Sequence, residues 1–358
     1  MRRRPAVALV LALSMATVAC GTDDNTPRTS GGRPSSGNFA GAGDQATLSG
    51  AGATFPATII QEWIKQYKAV APGVTLNYQP VGSGAGIQQL TSRTVDFAGS
   101  DVALKPSEQA ATGGAGNVVQ VPWTAGGLAV EYNLPDVKAL RLSPNALAGI
   151  FAGRISRWDD PAVRADNPGA RLPAKGIQVV HRSDGSGTTQ VFTEYLKAAS
   201  PGIWSFPIGK DWPAGTAGTG AKGSDGVTAA VKQSTGAIGY AELSFPRQAG
   251  LGVATVRNKA GQYVAPTAPG MSAALGSAIR KPDGTLVPDY TPEGAGAYPI
   301  STTSYLMFYA SGADDTKTAA LEHFAAWALT EGQRLAEALD YAPLPQSIAG
   351  PALAAVTP

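Results

Sequence analysis

Apolar and polar positions divide this chain into three regimes. After Arg2, Arg3 and Arg4, positions 5–19 are almost continuously apolar and small. That run is too short for an ordinary membrane span and suits the hydrophobic stretch of a secretory signal, here 1–19. Positions 21–44 are mostly Gly, Ser, Thr, Asn and Pro. Such a stretch cannot bury a core, so 20–45 reads as a flexible tether. From about Ala46 onward, strand-like alternation and helix-like spacing take turns.

A short strand is expected at 47–50, then a Gly-rich turn over 50–56. A helix follows with Ile59, Ile60, Trp63, Ile64 and Tyr67 on one face, and Pro56 suits its first turn. Alternation over 74–79 predicts a strand, and Gly82, Ser83, Gly84 and Gly86 open another helix. A strand at 95–98 ends at Gly99, Ser100 and Asp101. This repeated order of strand, Gly turn and helix predicts an α/β fold with a mainly parallel sheet. Ligands of such sheets gather at the loops after the strands' carboxyl ends, where Thr54, Phe55, Ser83 and Asp101 fall.

Farther on, 118–123 is apolar and halts around Pro122, and 128–132 restarts as a strand. The small residues 124–127 between them suggest a crossover between domains. A helix is expected at 143–151, a turn at 158–161 and a strand at 176–180. The stretch 181–196 begins small, polar and Gly-punctuated, then places Val191, Phe192, Tyr195 and Leu196 on one helical face. Ser186, Gly187 and Thr188 therefore stand at a helix start, where unpaired N–H groups and the helix dipole favour anions. Arg182 adds a planar fork of donors. A Ser/Thr cap beside a surface Arg fits this stretch equally well. Beyond it come a helix at 227–232, a strand at 237–240 and an irregular region at 245–296. A strand pair at 298–300 and 304–309 follows. One or two amphipathic helices then cover 316–338, with Leu321, Phe324, Ala328 and Leu335 inward.

With 358 residues, the chain is long enough for two domains. Its net charge of +2 depends on the three leading Arg residues; without them 25 basic residues face 26 acidic ones. No basic stripe for nucleic acid is visible. Cys20 is the lone cysteine and His181 and His323 the only histidines, so neither an internal disulfide nor a Cys- or His-rich metal site is expected. Thr17, Val18, Ala19, Cys20 and Gly21 resemble a bacterial lipobox, with Thr17 where Leu is usual. That resemblance implies cleavage before Cys20 and a lipid such as palmitate on its thiol; a plain secretory signal with a free thiol is the other reading.

Enzyme motifs fit poorly. Gly215 and Gly220 have the gap of a phosphate-binding P-loop, but Ala221 precedes Lys222 and Gly223 follows it. Around Ser186 the order is Asp184, Gly185, Ser186, Gly187, Thr188, which is not a nucleophile elbow. What remains is three helix starts with Gly/Ser/Thr turns, at 50–56, 82–86 and 184–188, plus one Arg and one Asp. Together they describe an anion site built on neutral donors, one cation and one acceptor.

The segments 50–56, 82–86, 94–101 and 182–188 resemble those of the phosphate-binding proteins of the phosphate-specific ABC transporter. Segments 236–240, 298–302 and 339–345 extend the resemblance, in order, from about Leu48 to Ser347. The segment 200–220 aligns loosely, and the chain after Pro345 is shorter than the family leads one to expect. The resemblance implies a two-lobed periplasmic-binding-protein fold, type II-like. Each lobe is a mixed, mainly parallel sheet flanked by helices, and the ligand lies in the cleft with no cofactor or metal. Lobe 1 would take 46–123 and 297–358, and lobe 2 would take 124–296. Carried over, the phosphate contacts fall on Thr54, Phe55, Ser83, Asp101, Arg182, Ser186, Gly187 and Thr188, with Asp184 orienting Arg182.

Asp101 has a chemical consequence. Phosphate near neutral pH keeps a proton that a buried carboxylate can accept, whereas sulfate leaves that carboxylate unpaired beside like charge. The expected protein is a monomeric, lipid-anchored phosphate receptor on the outer face of the cytoplasmic membrane. It would serve a permease with a cytoplasmic ATPase, and it would not be an enzyme. Alternatives are a sulfate- or molybdate-binding protein, or a secreted phosphate-ester hydrolase using Ser186 and His181.

Overall fold

The computed structural model describes residues 40–311 and 314–357. The signal 1–19, Cys20 and the tether up to residue 39 lie outside the described residues. Inside the expected tether, Ala40–Gly43 form a 3-10 turn with Gly41 buried. Asp44 Oδ2 lies 2.7 Å from His323 Nδ1. The folded body therefore begins before Ala46.

The chain runs through β1 (Ala46–Gly52), α1 (Ala57–Val70), β2 (Val74–Pro80), α2 (Ser83–Thr91), β3 (Phe97–Ser100), α3 (Pro106–Ala111) and the long β4 (Val118–Tyr132). It continues with β5 (Arg141–Leu142), α4 (Pro144–Phe151), α5 (Pro161–Asp166), β6 (Gln178–Arg182), α6 (Gly187–Ala199), β7 (Thr219–Ala221), α7 (Gly223–Gln233), β8 (Ala237–Glu242) and α8 (Ser244–Ala249). Short pieces follow: β9 (Gly252–Val253), β10 (Thr255–Arg257), β11 (Tyr263–Val264), α9 (Ala268–Leu275), β12 (Ile279–Arg280) and β13 (Leu286–Val287). The last elements are β14 (Ser301–Tyr309), α10 (Asp315–Leu329) and α11 (Gln346–Ala354). Among the described residues no helix is long and apolar enough to cross a membrane.

One mixed sheet carries the fold, in the order β2-β1-β3-β14-β4-β8-β6-β7. Its flanks are parallel: β1 pairs with β2 and β3, and β6 pairs with β7 and β8. The middle is antiparallel, because β14 runs against β3 and β4, and β4 runs against β8. Residues 118–127 of β4 lie beside β14, and 128–132 lie beside β8. The sheet thus has two parts that share one strand. Helices pack by the faces their periodicity dictates: Ile59, Ile60, Trp63 and Tyr67 of α1 are buried. The Trp63 indole meets Trp123 edge-on at 5.5 Å and donates to the Gly332 carbonyl at 2.8 Å.

Several expectations change. The small run 124–127 lies within a continuous strand and ends where β4 passes from β14 to β8, so the crossing between the two parts is made by strand. Gly126 and Gly127 are there to admit bulk from outside: a Cβ would meet the Phe55 ring at 2.8 Å or the Met271 sulfur at 2.7 Å. Pro122 fits within β4 because the register shifts between Ser304 and Tyr305, leaving Trp123 as the extra residue of a bulge. Residues 298–300 are a buried approach rather than a strand, tied by Tyr298 Oη to the Leu128 carbonyl at 2.7 Å. Finally, the irregular region holds α8, α9 and small hairpins, and the long C-terminal helix stops at Leu329 before 3-10 turns.

Two buried carboxylates stand on the shared strand pair. Glu131 Oε2 accepts from Thr228 Oγ1 at 2.9 Å, while Oε1 has no partner among the described residues. Burial pushes its carboxyl up to about 8, against the Thr228 hydroxyl. Glu242 accepts from Ser244, and burial raises it well above the usual range. A carboxyl raised in the fold contributes stability that is complete below its unfolded pKa and is lost as pH rises through its folded one. Wild-type melting temperature is therefore expected to fall from pH 5 to pH 9, and Glu131→Gln to give a shallower fall. Equal slopes for the two proteins would contradict this.

Candidate functional site

Four helix starts meet at one buried point. Thr54 precedes α1, Ser83 opens α2, Ser186 caps α6, and Ser224 lies in the first turn of α7. The first two belong to one part of the sheet and the last two to the other. Thr54, Ser83, Asp101, Arg182, Ser186 and Thr188 are each 3% exposed or less.

Bonds cross directly between the two sides. Thr188 Oγ1 donates to Asp101 Oδ2 at 2.9 Å. The Gly84 N–H donates to the Gly185 carbonyl at 2.9 Å. Thr54 Oγ1 lies 2.8 Å from Ser224 Oγ and accepts from the Ser224 N–H at 3.2 Å. Gly187 leaves no slack: a Cβ there would lie 2.6 Å from Ser83 Oγ and 2.9 Å from Asp101 Cβ. Rimward of this point, Lys210 Nζ forms an ion pair with Glu108 of α3. The Lys210 carbonyl accepts the Ser186 N–H at 2.9 Å, tying that pair to the α6 start.

Arg182, at the end of β6, supplies the buried cation. Its Nε and Nη2 donate to Asp184 Oδ1 and Oδ2 at 2.8 and 2.5 Å, a two-pronged clamp. Nη1 is buried and has no partner among the described residues. Asp184 also accepts the Gly223 N–H at 3.0 Å. Burial pushes the Asp184 carboxyl up, but the Arg182 bonds and charge outweigh it, so it sits below its ordinary value.

Asp101 is the acceptor. Oδ2 takes the Thr188 hydroxyl, and Oδ1 takes Ser304 Oγ at 3.1 Å. Its own N–H donates to Ser83 Oγ at 3.4 Å. Burial pushes its carboxyl up to about 6, against the Thr188 and Ser304 hydroxyls and the Arg182 charge. Four lone-pair positions with two hydroxyl donors leave it able to accept again. Phe55 contributes backbone: its ring packs on Tyr341, whose Oη donates to the Phe55 carbonyl at 2.6 Å.

The fold therefore brings Thr54, Ser83, Asp101, Arg182, Ser186, Gly187 and Thr188 together, with Phe55 beside them and Asp184 behind Arg182. Cys20 lies outside the described residues. Sequence reasoning missed Ser224 and Ser304. Lys222, Gly223 and Ser224 follow β7 and open a helix, the same pattern as 184–188, so Ser224 carried a readable signal. Ser304 lies inside a fully buried strand and carried none.

A sequence profile described as the PBP superfamily domain matches residues 37–331, which places the chain in that class of binding proteins. The phosphate-binding protein PstS of Pasteurella multocida is 38% identical over 309 residues, covering 84% of this chain and 87% of that one. The phosphate-binding protein PstS3 of Mycobacterium bovis strain BCG is 36% identical over 351 residues, covering 95% and 94%. This chain belongs to the family of phosphate-binding proteins named PstS. Among solved structures, a high affinity periplasmic phosphate-binding protein, PfluDING, bound with phosphate, matches at a TM-score of 0.71 and 27% identity, covering 86% of this chain and 93% of that one. A human phosphate binding apolipoprotein matches at a TM-score of 0.70 and 26% identity, with the same coverage.

Because Gly187 is pressed against Ser83 and Asp101, Gly187→Ala is expected to hold the two sides apart. Small-angle scattering should give a larger radius of gyration than wild type, with an unchanged circular dichroism spectrum. An unaltered radius would show that the helix start can shift to admit a methyl group.

Proposed function

We propose that this chain binds inorganic phosphate outside the cytoplasmic membrane and hands it to a membrane permease driven by a cytoplasmic ATPase. The observation that carries this reading is Arg182 Nη1, a buried cationic donor without a partner among the described residues, where four helix starts meet. Leaving such a donor unsatisfied costs on the order of 1–3 kcal/mol, which an anion bound there would offset. The names of the relatives and the phosphate in PfluDING support phosphate as that anion.

In this reading Thr54, Phe55, Ser83, Ser186, Gly187 and Thr188 donate hydrogen bonds to phosphate oxygens, and Ser224 joins them from α7. Arg182 supplies the charge, with Asp184 fixing its plane. Asp101 accepts the proton that phosphate retains and is left facing bare oxygen when sulfate enters. Residues 46–123 with 297–358 form one lobe and 124–296 the other; closure joins them through Thr188–Asp101, Gly84–Gly185 and Lys210–Glu108. The protein acts as a monomer on the outer face of the membrane, anchored by a lipid on Cys20.

The chain turns nothing over. Ser186 Oγ is occupied as a helix cap, accepting the Thr189 N–H at 3.1 Å. His181 stacks on Trp212 at 4.9 Å, and its Nδ1 lies 2.9 Å from the Arg182 carbonyl oxygen. That arrangement favours a packing role over general-base work.

Calorimetric titration tests the ligand. Phosphate should bind tightly and sulfate weakly, and Asp101→Asn should lower the phosphate-over-sulfate ratio by about tenfold or more, the worth of one buried charged hydrogen bond. Comparable affinity of the wild type for both ions would sink the role given to Asp101. Stopped-flow release tests the latch. Lys210→Ala should speed phosphate release by roughly two- to tenfold while leaving association unchanged, since one largely buried ion pair among several cross-links holds the closed form only in part. An unchanged release rate would remove Lys210 from closure.

A further inference from the structure

Asp101 takes its orientation from a residue outside the set of anion contacts. Ser304 is fully buried in β14, the strand beside β3. Its Oγ lies 3.1 Å from Asp101 Oδ1 and 3.2 Å from the Ser100 carbonyl oxygen. One hydroxyl proton has two acceptors in reach, and the charged one takes the stronger bond. The two carboxylate oxygens therefore have unlike partners. Oδ1 is tied to the same part of the sheet that carries Asp101, and Oδ2 meets Thr188 from the opposite part.

Ser304 holds the carboxylate and not the backbone. The Ser100 side chain fixes the turn, donating to the Val102 carbonyl at 2.6 Å and accepting the Val102 N–H at 3.3 Å. The Asp101 N–H goes to Ser83 Oγ. Loss of the Ser304 hydroxyl leaves these bonds in place and frees only the carboxylate. The same hydroxyl bears on protonation. Burial pushes the Asp101 carboxyl up, and the Thr188 and Ser304 hydroxyls and the Arg182 charge work against it. The other groups around it are Tyr78 of β2, whose phenol burial keeps protonated, and Lys105, Lys281, Glu194, Tyr290 and Tyr305, which line the cavity that Asp101 shares. All of them stay when the Ser304 hydroxyl goes. A carboxyl that takes a proton gains a donor, which it can offer to a fully ionised anion.

We propose that Ser304 is a positioning residue that sets the choice of anion: its hydroxyl turns Asp101 Oδ2 toward the opposite side and keeps the carboxylate an acceptor. The inference rests on the phosphate reading above and adds the group that makes Asp101 selective. In the proposed closure the Thr188 bond forms only when the two sides meet. The Ser304 bond lies within one side, so the carboxylate is oriented before the anion arrives. Without that bond Asp101 protonates more readily, and sulfate meets a donor where it would have met bare oxygen.

The test reads the Asp101 carboxyl directly, by carboxyl-carbon NMR titration of the unliganded chain, with Asp101→Asn to assign the signal. The Ser304→Ala midpoint should lie about one pH unit above wild type, the worth of one hydrogen bond to a charged group. Ser304→Cys, of similar size but a weaker donor, should fall between them. Calorimetry with sulfate, which does not titrate in this range, gives the functional readout. Sulfate affinity should rise as pH falls, beginning about one unit higher in Ser304→Ala, so that the phosphate-over-sulfate ratio at pH 7 drops about threefold or more. An unmoved midpoint in both variants overturns the proposal. Equal loss of phosphate and sulfate affinity at every pH also overturns it, leaving Ser304 a packing residue. Absence of phosphate binding by the wild type, with the midpoint displaced as expected, overturns the phosphate reading and leaves the hold of Ser304 on Asp101 standing.

Discussion

The ion pair between Arg182 and Asp184 is the constraint on which the rest of the site depends. A guanidinium that is 1% exposed stays in the fold only when its donors are used and its charge is matched. Asp184 matches the charge and takes Nε and Nη2, leaving Nη1 for a ligand, and it reaches further. The same carboxylate takes the Gly223 N–H, which sets the start of α7 and so brings Ser224 to Thr54. It also dictates its neighbour across the cleft. Gly82 has φ +96°, and a Cβ there would fall 2.3 Å from Asp184 Oδ2. One carboxylate thus positions the cation, one helix start from its own side of the sheet and the approach of another from the opposite side.

The counterpart is Asp101, and the two acids have opposite electrostatic fates. Asp184 faces a cation at bonding distance and is held low; Asp101 is farther from it and is pushed up by burial. A buried carboxylate near 6 is poised to exchange hydrogen-bond roles with a ligand that itself carries a proton. The remaining contacts are hydroxyls and N–H groups, which stabilise an anion by dipoles without fixing a full countercharge. In the proposed reading an ion held this way is bound specifically yet can leave when the two sides part, because separation breaks many moderate hydrogen bonds alongside the Arg182 contact.

Much of this was legible in the sequence, for a physical reason. Strand and helix periods of 2 and 3.6 are visible wherever one face is buried and the other wet, and Gly/Ser turns between them mark the strand ends where ligands gather. That logic placed Thr54, Ser83, Asp101 and 186–188 on adjoining loops. It failed where composition imitates another state. Gly126 and Gly127 are small because Phe55 and Met271 press on them, and the run was read as a crossover between domains without the continuous strand that carries it. Ser304 is polar inside a strand buried on both faces, where alternation is absent. Ser224 was passed over because its neighbours were tried only as a nucleotide motif. The Lys210 loop lies in the segment that aligned loosely, and its contact with Glu108 depends on tertiary geometry that no local spacing encodes.

The continuous β4 constrains how the proposed closure has to work. A loop crossover would let the two parts swing freely, but a strand that changes partner between residues 127 and 128 has to twist without losing its ladder. Gly126 and Gly127 sit at that change, where the absence of side chains allows the backbone the widest range. Phe55 packs on Gly126, and Tyr341 holds both the ring and carbonyl of Phe55. Phe55 adjoins Thr54 at the α1 start. In the proposed closure, twisting of the shared strand would act on the same residue pair that faces Ser224. The middle of the sheet and the Thr54 end of the site are thus in contact through one aromatic ring.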